Sequence, residues 1–395
     1  MEWALGKQRG GARMYEQMEI AKAMEEASRA GLGGALATVI RVTGSAYRHP
    51  GAKMYIDSQG NTCGMISGGC LEADVAEIAL KVMETAKPVR KEYVMDEDLV
   101  WGLGLGCPGT VEVYIEPLPP AVVQNDLLQE WRKTVLEGNP GVLCTLFLPE
   151  SDEGLETNPA RLFIPQWGNP LGDLGLLGWN KFATQLASQQ LSLSHAKSTM
   201  LALPDEGGEI FLDVYQPAPQ LLVFGAGHDA LPLVEMGATL GFSVTVIDPR
   251  PGFNTAERFP KAEQRLLISP QDMVDVSIGG RTYVVIMNHH LERDKDALRF
   301  ALQSKAPYVG MLGPRKRCER IMNSLMQEGI TFTKDELSRL YNPIGLNLGA
   351  DSPEEIAVSI LAELIAVHRG QDGGFLRDRQ AIRERASHLS LTQTS

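Results

Sequence analysis

The chain has 395 residues, 44% of them hydrophobic and 22% charged, which is the composition of a soluble globular protein with room for two or three domains. Its formal net charge of −12 at pH 7 argues against nucleic acid or an anionic membrane as the main partner. Residues 1–14 lack a signal-peptide core, no run of about 18 apolar residues occurs, and the five cysteines are widely spaced, so we expect a reduced, cytoplasmic protein without a membrane span.

The N-terminal half is predicted to form an α/β domain over residues 1–216, with a variable segment at 121–200. Helical patterns alternate with short apolar runs, and residues 149–178 are rich in the residue types that form turns. The predicted helices are Tyr15–Ala30, Leu71–Thr85 and Asn125–Leu136, and the predicted strands are Ala35–Thr43, Lys53–Asp57, Thr62–Ile66, Val111–Ile115 and Gly141–Leu148.

A second short apolar unit covers Leu201–Tyr215, and its end loosely resembles an earlier run. Val111–Pro120 and Ile210–Pro219 both combine alternating apolar residues with terminal prolines. The similarity is too short to establish a repeat. It is equally compatible with two edge strands, each ended by its prolines.

The next segment has the pattern of a dinucleotide-binding βαβ unit. An apolar run ends in Gly225-x-Gly227-x-x-Ala230, a helical pattern follows, and a second apolar run ends at Asp248. Glycines at these positions allow a tight turn and a close approach of the backbone to a pyrophosphate. The start of the helix then offers N–H groups to the anion.

Strand and helix patterns continue to alternate after this unit. The alternation predicts a Rossmann-like, doubly wound parallel sheet over residues 217–370, followed by a polar tail at 371–395. Ser352–Glu355 has the pattern of a capping box at the start of a helix. The further predicted strands are Arg265–Ile268, Tyr283–Met287 and Tyr308–Met311.

Three side chains near the Gly225 turn are candidate ligand contacts, each with a plainer interpretation. Asp248 is placed to hold a ribose 2′-hydroxyl. Arg250 suits either a phosphate or a surface ion pair, and His228 either touches the ligand or only packs at the helix start. The alternative for the whole segment is a Rossmann domain that uses its glycines for close packing and binds nothing.

Two glycine-rich loops in the N-terminal half each present a cysteine. Gly68 and Gly69 precede a predicted helix and form a candidate anion cradle, with Cys70 at the helix start, where the dipole favours a thiolate. A buried structural cysteine is an equally good interpretation of Cys70. Cys107 lies in Gly102–Gly109, which is either a ligand-binding turn or a linker.

Basic and histidine side chains complete the candidate set. Arg48 and Lys53 lie beside glycines, a combination that suits phosphates, although solvated surface charge is the commoner reason for it. His289 follows a predicted parallel strand, at the sheet edge where doubly wound folds bind ligands. The duller alternative for His289 is a loop histidine with a local hydrogen bond. The sequence has no spacing typical of a metal site.

Taken in order, these motifs resemble the XdhC/CoxI family, the xanthine dehydrogenase accessory factors. No single motif is specific, but their joint order is, and the resemblance covers both ends of the chain. The motifs are Gly44–Met54, Ser67–Glu72 and Gly104–Cys107 in the N-terminal half, and Phe224–His228, Asp248–Pro251, Glu257–Pro260, Met287–His289, Tyr308–Gly313 and Pro343–Ala357 in the C-terminal half.

The resemblance implies a chaperone that binds molybdenum cofactor (molybdopterin), favours its sulfurated form and delivers it to a molybdenum hydroxylase apo-enzyme. It makes Cys70 and Cys107 the candidate thiols, and Gly225, Gly227 and Asp248 the nucleotide-like pocket, which would take NAD(P) or another nucleotide. A cysteine desulfurase is a further implied partner, and a homodimer is compatible with the sequence.

Two positions depart from the family pattern. Pro108 follows Cys107 where glycine is expected, which removes a backbone donor from the loop, and Asn347 stands where aspartate is frequent. Two other functions compete with the chaperone. One is an NAD(P)-dependent oxidoreductase with His289 as its base, and the other is a non-catalytic nucleotide-binding scaffold.

Overall fold

The structure, a computed structural model, forms two compact units, residues 1–218 and 219–395. Cys107 and residues 379–395 of the predicted tail lie outside the residues that it describes. In those described residues, no helix is long and apolar enough to cross a membrane. The described ranges are 13–95, 109–119, 126–148, 159–175, 177–193, 196–203, 208–273 and 276–378.

In its described residues, the first unit contains the helices α1 to α4 and the strands β1 to β10. Strand β4 and helix α4 were not predicted. The expectation of turns and loops over residues 149–178 is wrong at two places, because β7 forms there by pairing with β6, and β8 by pairing with β7. The elements are α1 (Arg13–Arg29), β1 (Gly34–Gly44), β2 (Lys53–Asp57), β3 (Thr62–Gly64), α2 (Glu72–Thr85), β4 (Val89–Met95), β5 (Gly109–Leu118), α3 (Asp126–Leu136), β6 (Gly141–Phe147), β7 (Arg161–Pro165), β8 (Leu171–Asp173), α4 (Leu177–Ser192), β9 (Thr199–Ala202) and β10 (Glu209–Tyr215).

These elements form the same substructure twice. The strand orders are β3-β2-β1-β5-β4 and β8-β7-β6-β10-β9, and every pair is antiparallel. Gly64 and Gly172 are equivalent down to their surroundings: a Cβ on Gly64 would meet Ile20 and the Lys53 carbonyl, and one on Gly172 would meet Leu127 and the Arg161 carbonyl. The loose similarity between the ends of β5 and β10 therefore reflects equivalent positions in two sheets.

Two buried ion pairs join the two sheets of the first unit. Lys53 on β2 binds Asp213 on β10 at 2.5 Å, and Arg161 on β7 binds Glu116 on β5 through two hydrogen bonds of 2.7 and 2.9 Å. The strand registers make the two cations equivalent, since they lie opposite Thr38 and Thr145. The pairs are thus reciprocal, as in an interface between two copies of one module.

The second unit is a parallel sheet covered by helices on both faces. Its strands lie in the order β13-β12-β11-β14-β15-β16, which is the Rossmann order 3-2-1-4-5-6, so the predicted fold class is confirmed. The elements are β11 (Gln220–Phe224), α5 (Ala230–Thr239), β12 (Ser243–Ile247), β13 (Gln264–Leu266), β14 (Thr282–Ile286), α6 (Leu291–Leu302), β15 (Tyr308–Met311), α7 (Arg315–Gln327), α8 (Lys334–Ser338), β16 (Leu340–Tyr341) and α9 (Pro353–Arg369).

The core of this unit has two apolar layers, one on each face of the sheet. Helices α5 and α9 cover one face, and α6 and α7 cover the other. The capping box predicted at Ser352 is present, because the Ser352 hydroxyl accepts from the backbone of Glu355 and the Glu355 carboxylate accepts from that of Ser352. The packing leaves the carboxyl ends of β11 and β14 side by side at one edge, where the strand order reverses.

Candidate functional site

The turn after β11 is shaped by its first glycine. Gly225 has φ of +112°, and a Cβ there would lie 2.5 Å from the Met287 carbonyl after β14. Any side chain at Gly225 would therefore push the two strand ends apart. Gly225 and its neighbour Ala226 are buried, Gly227 is half-buried and His228 is exposed, so the turn opens to solvent along its second half.

Asp248 faces this turn, but its carboxylate is fully engaged. It is 0% exposed and accepts from the Ala226 N–H at 2.8 Å. Arg250 donates to it from its own N–H at 2.9 Å and from Nε and a terminal nitrogen at 2.9 and 2.6 Å. Burial alone would raise the pKa of Asp248, but these hydrogen bonds outweigh it and lower the pKa. In this geometry Asp248 braces the turn against β12, and a ribose would have to displace a partner to reach it.

His289 and Asp229 form a pair at the point where the strand order reverses. The His289 Nε2 lies 2.6 Å from the Asp229 carboxylate, and the histidine side chain is 60% exposed. His289 has φ of 56°, in the left-handed region that histidine, like Asn and Asp, enters more often than most other residues with a side chain. The hydrogen bond to Asp229 raises the pKa of His289 and favours an imidazolium–carboxylate pair. Sequence reasoning missed Asp229, although it directly follows His228.

Buried hydrogen bonds to Asp294 fix the loop that carries His289. Asp294, 2% exposed, accepts from the backbone N–H of Asn288 at 3.2 Å and from its amide at 3.1 Å. Arg317 on α7 also donates to Asp294. This network fixes the backbone before His289, so the histidine is presented on a firm support.

Sequence reasoning also missed Arg258, whose guanidinium reaches the glycine turn. It donates to the Phe253 carbonyl at 3.1 Å and to the Gly227 carbonyl at 3.4 Å. It also lies over the rings of Phe253 and Phe259, with its central carbon 5.0 and 5.7 Å from their centroids. Arg258 lies in the Glu257–Pro260 motif that contributes to the family resemblance, but nothing in that motif marks it as a ligand contact, and only the folded loop shows its position.

The N–H groups of the loop before α2 bind a carboxylate of the protein, that of Glu72. The Glu72 carboxylate accepts from the N–H groups of Ile66, Ser67 and Leu71 at 3.2, 2.8 and 3.2 Å. The Ser67 hydroxyl donates to Glu72 and accepts from the N–H of Gly69 at 3.1 Å. Burial raises the pKa of Glu72, but these bonds outweigh it and lower the pKa.

This loop therefore presents a thiol more readily than an anion cradle. Gly68, Gly69 and Cys70 are all exposed, and the Cys70 thiol lies 3.6 Å from the Ser67 hydroxyl. Four N–H groups of this loop, those of Ile66, Ser67, Gly69 and Leu71, already bind Glu72 or Ser67.

The two basic candidate residues of the first unit are already paired with carboxylates of the protein, so neither is open to a ligand from solution. Arg48 is half-buried and forms an ion pair with Glu16 on α1. Lys53 is 3% exposed and paired with Asp213 between the two sheets. The structure thus gathers Gly68, Gly69 and Cys70 in one loop, whereas Lys53 belongs to the interior. In the second unit it gathers Gly225, Gly227, His228, Asp248, Arg250 and His289 at one sheet edge.

No cluster of three or more His, Cys, Asp or Glu side chains that could hold a metal occurs in the parts of the chain that the structure describes. The loop before α2 therefore offers a thiol to a ligand, and the sheet edge at Gly225 offers hydrogen bonds and a cation.

The His289–Asp229 pair should titrate. Because the pKa of His289 is raised from its usual value of 6.5, the ion pair is fully present below pH 6.5 and is lost as the pH rises through the higher value of the folded state. NMR titration of the imidazole should give a midpoint above 6.5 in the unaltered protein and a lower one in Asp229→Asn. Asp335→Asn, at an exposed position of the same unit, is the control. Equal midpoints in the unaltered protein and in Asp229→Asn would contradict the pairing.

Comparison with known proteins agrees with both units. A profile described as the XdhC and CoxI family matches residues 27–94, and the XdhC Rossmann domain matches residues 221–364. A protein of Bacillus subtilis (strain 168) that is named as a probable subunit of xanthine dehydrogenase is 31% identical over 339 residues, which cover 85% of this chain and 93% of that protein.

Two further relatives match most of the chain. The molybdenum cofactor insertion chaperone PaoD of Escherichia coli (strain K12) is 23% identical over 353 residues, 88% of this chain and 87% of its own. A solved structure described as a xanthine dehydrogenase from Bacillus halodurans has a TM-score of 0.68 and 28% identity, and the match covers 90% of this chain and 97% of that one. The resemblance inferred from the motifs is therefore confirmed, and this chain belongs to the XdhC/CoxI family.

Proposed function

We propose that the chain is an accessory protein that carries molybdenum cofactor and assists its sulfuration and insertion into a molybdenum enzyme of the xanthine dehydrogenase type. The observation that carries this proposal is the similarity, over 88% of the chain, to a relative named as a molybdenum cofactor insertion chaperone. The relative named as a probable xanthine dehydrogenase component supports the class of enzyme that is served.

Each unit offers chemistry that suits a different part of this cargo. Molybdopterin has a dithiolene that holds the metal and a phosphate at its other end. The first unit offers the exposed Cys70 thiol on a loop that Glu72 braces. The second unit offers a turn in which a Cβ at Gly225 would clash with the Met287 carbonyl, together with the guanidinium of Arg258. Taken by itself, an exposed thiol suits molybdenum, and a glycine turn beside a guanidinium suits a phosphate.

The proposal includes the partners that delivery requires. An apo-form of a molybdenum hydroxylase receives the cofactor, and a cysteine desulfurase supplies the sulfur. A homodimer of the carrier is part of the proposal as well. Cys107 and Cys70 are the proposed sulfur-handling thiols.

A direct test measures retention and delivery of the cofactor. Cofactor released without oxygen from a molybdenum hydroxylase is mixed with the protein and separated by size exclusion, and bound pterin is read by fluorescence after oxidation. We expect the unaltered protein to retain it and to restore activity to apo-hydroxylase. Cys70→Ala combined with Cys107→Ala should weaken retention on the order of tenfold or more, the scale of one lost strong contact.

Cys63→Ala is the matched control for this test. Cys63 is a half-buried thiol of the same unit, and burial raises its pKa to about 11, so it stays protonated and unreactive at neutral pH. Failure of the unaltered protein to retain or deliver cofactor would overturn the proposal. Full retention and delivery by the double variant would remove the thiols from it.

An NAD(P)-dependent oxidoreductase is the second candidate, favoured by the Rossmann strand order and the glycine turn. The engagement of both Asp248 oxygens by Arg250 and Ala226 speaks against it, because NAD enzymes use this carboxylate for the ribose. Titration with NADH, followed by its fluorescence, separates the two candidates: no response at millimolar cofactor counts against the oxidoreductase.

A further inference from the structure

We propose that the edge of the parallel sheet beside Gly227 binds a diphosphate ester through Arg258 and does not read the hydroxyls of its ribose. The inference rests on the proposed function for its biological meaning, since it assigns the chemical class of the cargo's anionic end. The ligand class is a nucleoside diphosphate or a compound that contains one.

Arg258 is a fixed cation at this edge. Its guanidinium is held by two carbonyls, those of Phe253 and Gly227, and by the faces of two aromatic rings. Among the described residues it has no carboxylate within ion-pair distance, unlike Arg250 and Arg317, which pair with Asp248 and Asp294. A guanidinium held in place without a counter-ion is ready to bind a phosphate with little further loss of side-chain entropy.

The acidic side chains that touch the turn already have hydrogen-bonding partners. Asp248 is paired with Arg250, and Asp229 with His289. A Cβ on Gly227 would lie 2.5 Å from the Asp229 carboxylate, so the glycine lets that side chain lie close to the turn. Arg258 therefore differs from Arg250 in that, among the described residues, its guanidinium is not already paired with a carboxylate.

Engagement of Asp248 explains why the ribose is not read. Recognition of a 2′-hydroxyl at this position of a Rossmann fold depends on a carboxylate that is open to the ligand. Asp248 is 0% exposed, and its oxygens accept from the Ala226 N–H and from three nitrogens of Arg250. A ligand held here gains its affinity from the phosphates.

Two guanidiniums at this edge of the sheet contact one aromatic ring. The guanidinium carbon of Arg250 lies 4.2 Å from the centroid of the Phe253 ring, and that of Arg258 lies 5.0 Å from it. The ring holds both cations at fixed distances, which preorganises the site.

Calorimetric titration of the full chain tests the inference with ADP, CDP, their 2′-deoxy forms and inorganic pyrophosphate as probes. We expect at least one nucleoside diphosphate to bind, pyrophosphate to compete with it, and the deoxy form to match the ribose form within about twofold, far less than the tenfold that 1.4 kcal/mol represents. Arg258→Gln should weaken binding on the order of tenfold, the scale of one charge-assisted hydrogen bond. Arg258→Lys should recover part of the loss.

Lys305→Gln is the matched control. It removes the same charge from the same unit, but Lys305 is exposed in the loop that precedes β15, at the opposite edge of the sheet. A thermal melt of each variant shows whether the second unit is still folded. Unchanged affinity in Arg258→Gln, a strong preference for the ribose form, or no binding of any probe at millimolar concentration would each overturn the inference.

The two proposals fail separately. Cofactor retention with no binding of diphosphate probes would leave the carrier function standing and remove this site. Diphosphate binding that depends on Arg258, in a protein that neither retains nor delivers cofactor, would leave this site standing and remove the carrier function. NADH is titrated as an additional probe. If NADH alone binds, the diphosphate that the site takes is that of a nicotinamide dinucleotide.

Discussion

Replacing Lys53 with methionine is expected to lower the free energy of unfolding of the first unit by about 3–5 kcal/mol, because the change leaves a buried carboxylate without its partner. Lys53 and Asp213 are 3% and 4% exposed and lie 2.5 Å apart between the two sheets. Methionine keeps the length of the side chain, so packing is nearly unchanged and the loss comes from the charge. All five tryptophans lie in residues 1–218, so tryptophan fluorescence during denaturation reports on this unit alone.

Two variants give this prediction its controls. Lys81→Met removes an exposed partner of Glu77 and should change the free energy of unfolding by less than about 0.5 kcal/mol. Combining Lys53→Met with Asp213→Leu removes both buried charges and should recover much of the loss, as replacing whole buried pairs often does. A loss below about 1 kcal/mol for Lys53→Met alone would show that Asp213 finds water or another donor.

Replacing Asp248 with asparagine is expected to lower the free energy of unfolding of the second unit by about 3 kcal/mol and to loosen the glycine turn. The amide group can accept on one atom only, so either the Ala226 N–H or part of the Arg250 guanidinium is left without an acceptor. Amide hydrogen exchange should report this directly, with faster exchange at Ala226. Since the folded-state pKa of Asp248 is lowered, this contribution is present above the usual carboxyl pKa of 3.8 and is lost at more acid pH.

Glu235→Gln is the control for this second prediction. Glu235 pairs with Lys261 on the surface of the same unit, with side chains 69% and 50% exposed. Glu235→Gln should therefore leave the free energy of unfolding almost unchanged. The tryptophan-detected transition of the first unit should not move in Asp248→Asn. Unchanged exchange at Ala226 would contradict the bracing role of Asp248 and reopen its carboxylate as a ribose ligand.

Both predictions concern residues whose surroundings in the sequence suggest ligand binding. Lys53 lies near glycines and Asp248 ends a Rossmann strand, so each matches a ligand-binding pattern. The folded chain gives each of them a protein partner with good geometry. The exposed Cys70 and the half-buried Arg258 are then better placed to meet a cargo, although only Cys70 was singled out from the sequence as a candidate site residue.

Local chemistry was enough to predict the second unit. The glycine turn after β11, the alternation of strand and helix and the capping box at Ser352 all depend on neighbours within a few residues. Steric freedom at glycine, hydrophobic period and N-cap hydrogen bonds act at that range. Strands β7 and β8 escaped prediction because they form by pairing beside β6, and turn-forming residues surround them.

The sequence alone thus determined the fold class of the second unit, the position of its glycine turn and the family. Tertiary structure alone decided which charged groups became partners: Lys53 with Asp213, 160 residues apart, and His289 with Asp229, 60 residues apart. It also showed that the first unit is built twice. The physical reason is that a charge beside a glycine looks the same in sequence whether it faces water or another strand, and its role depends on which elements the fold brings against it.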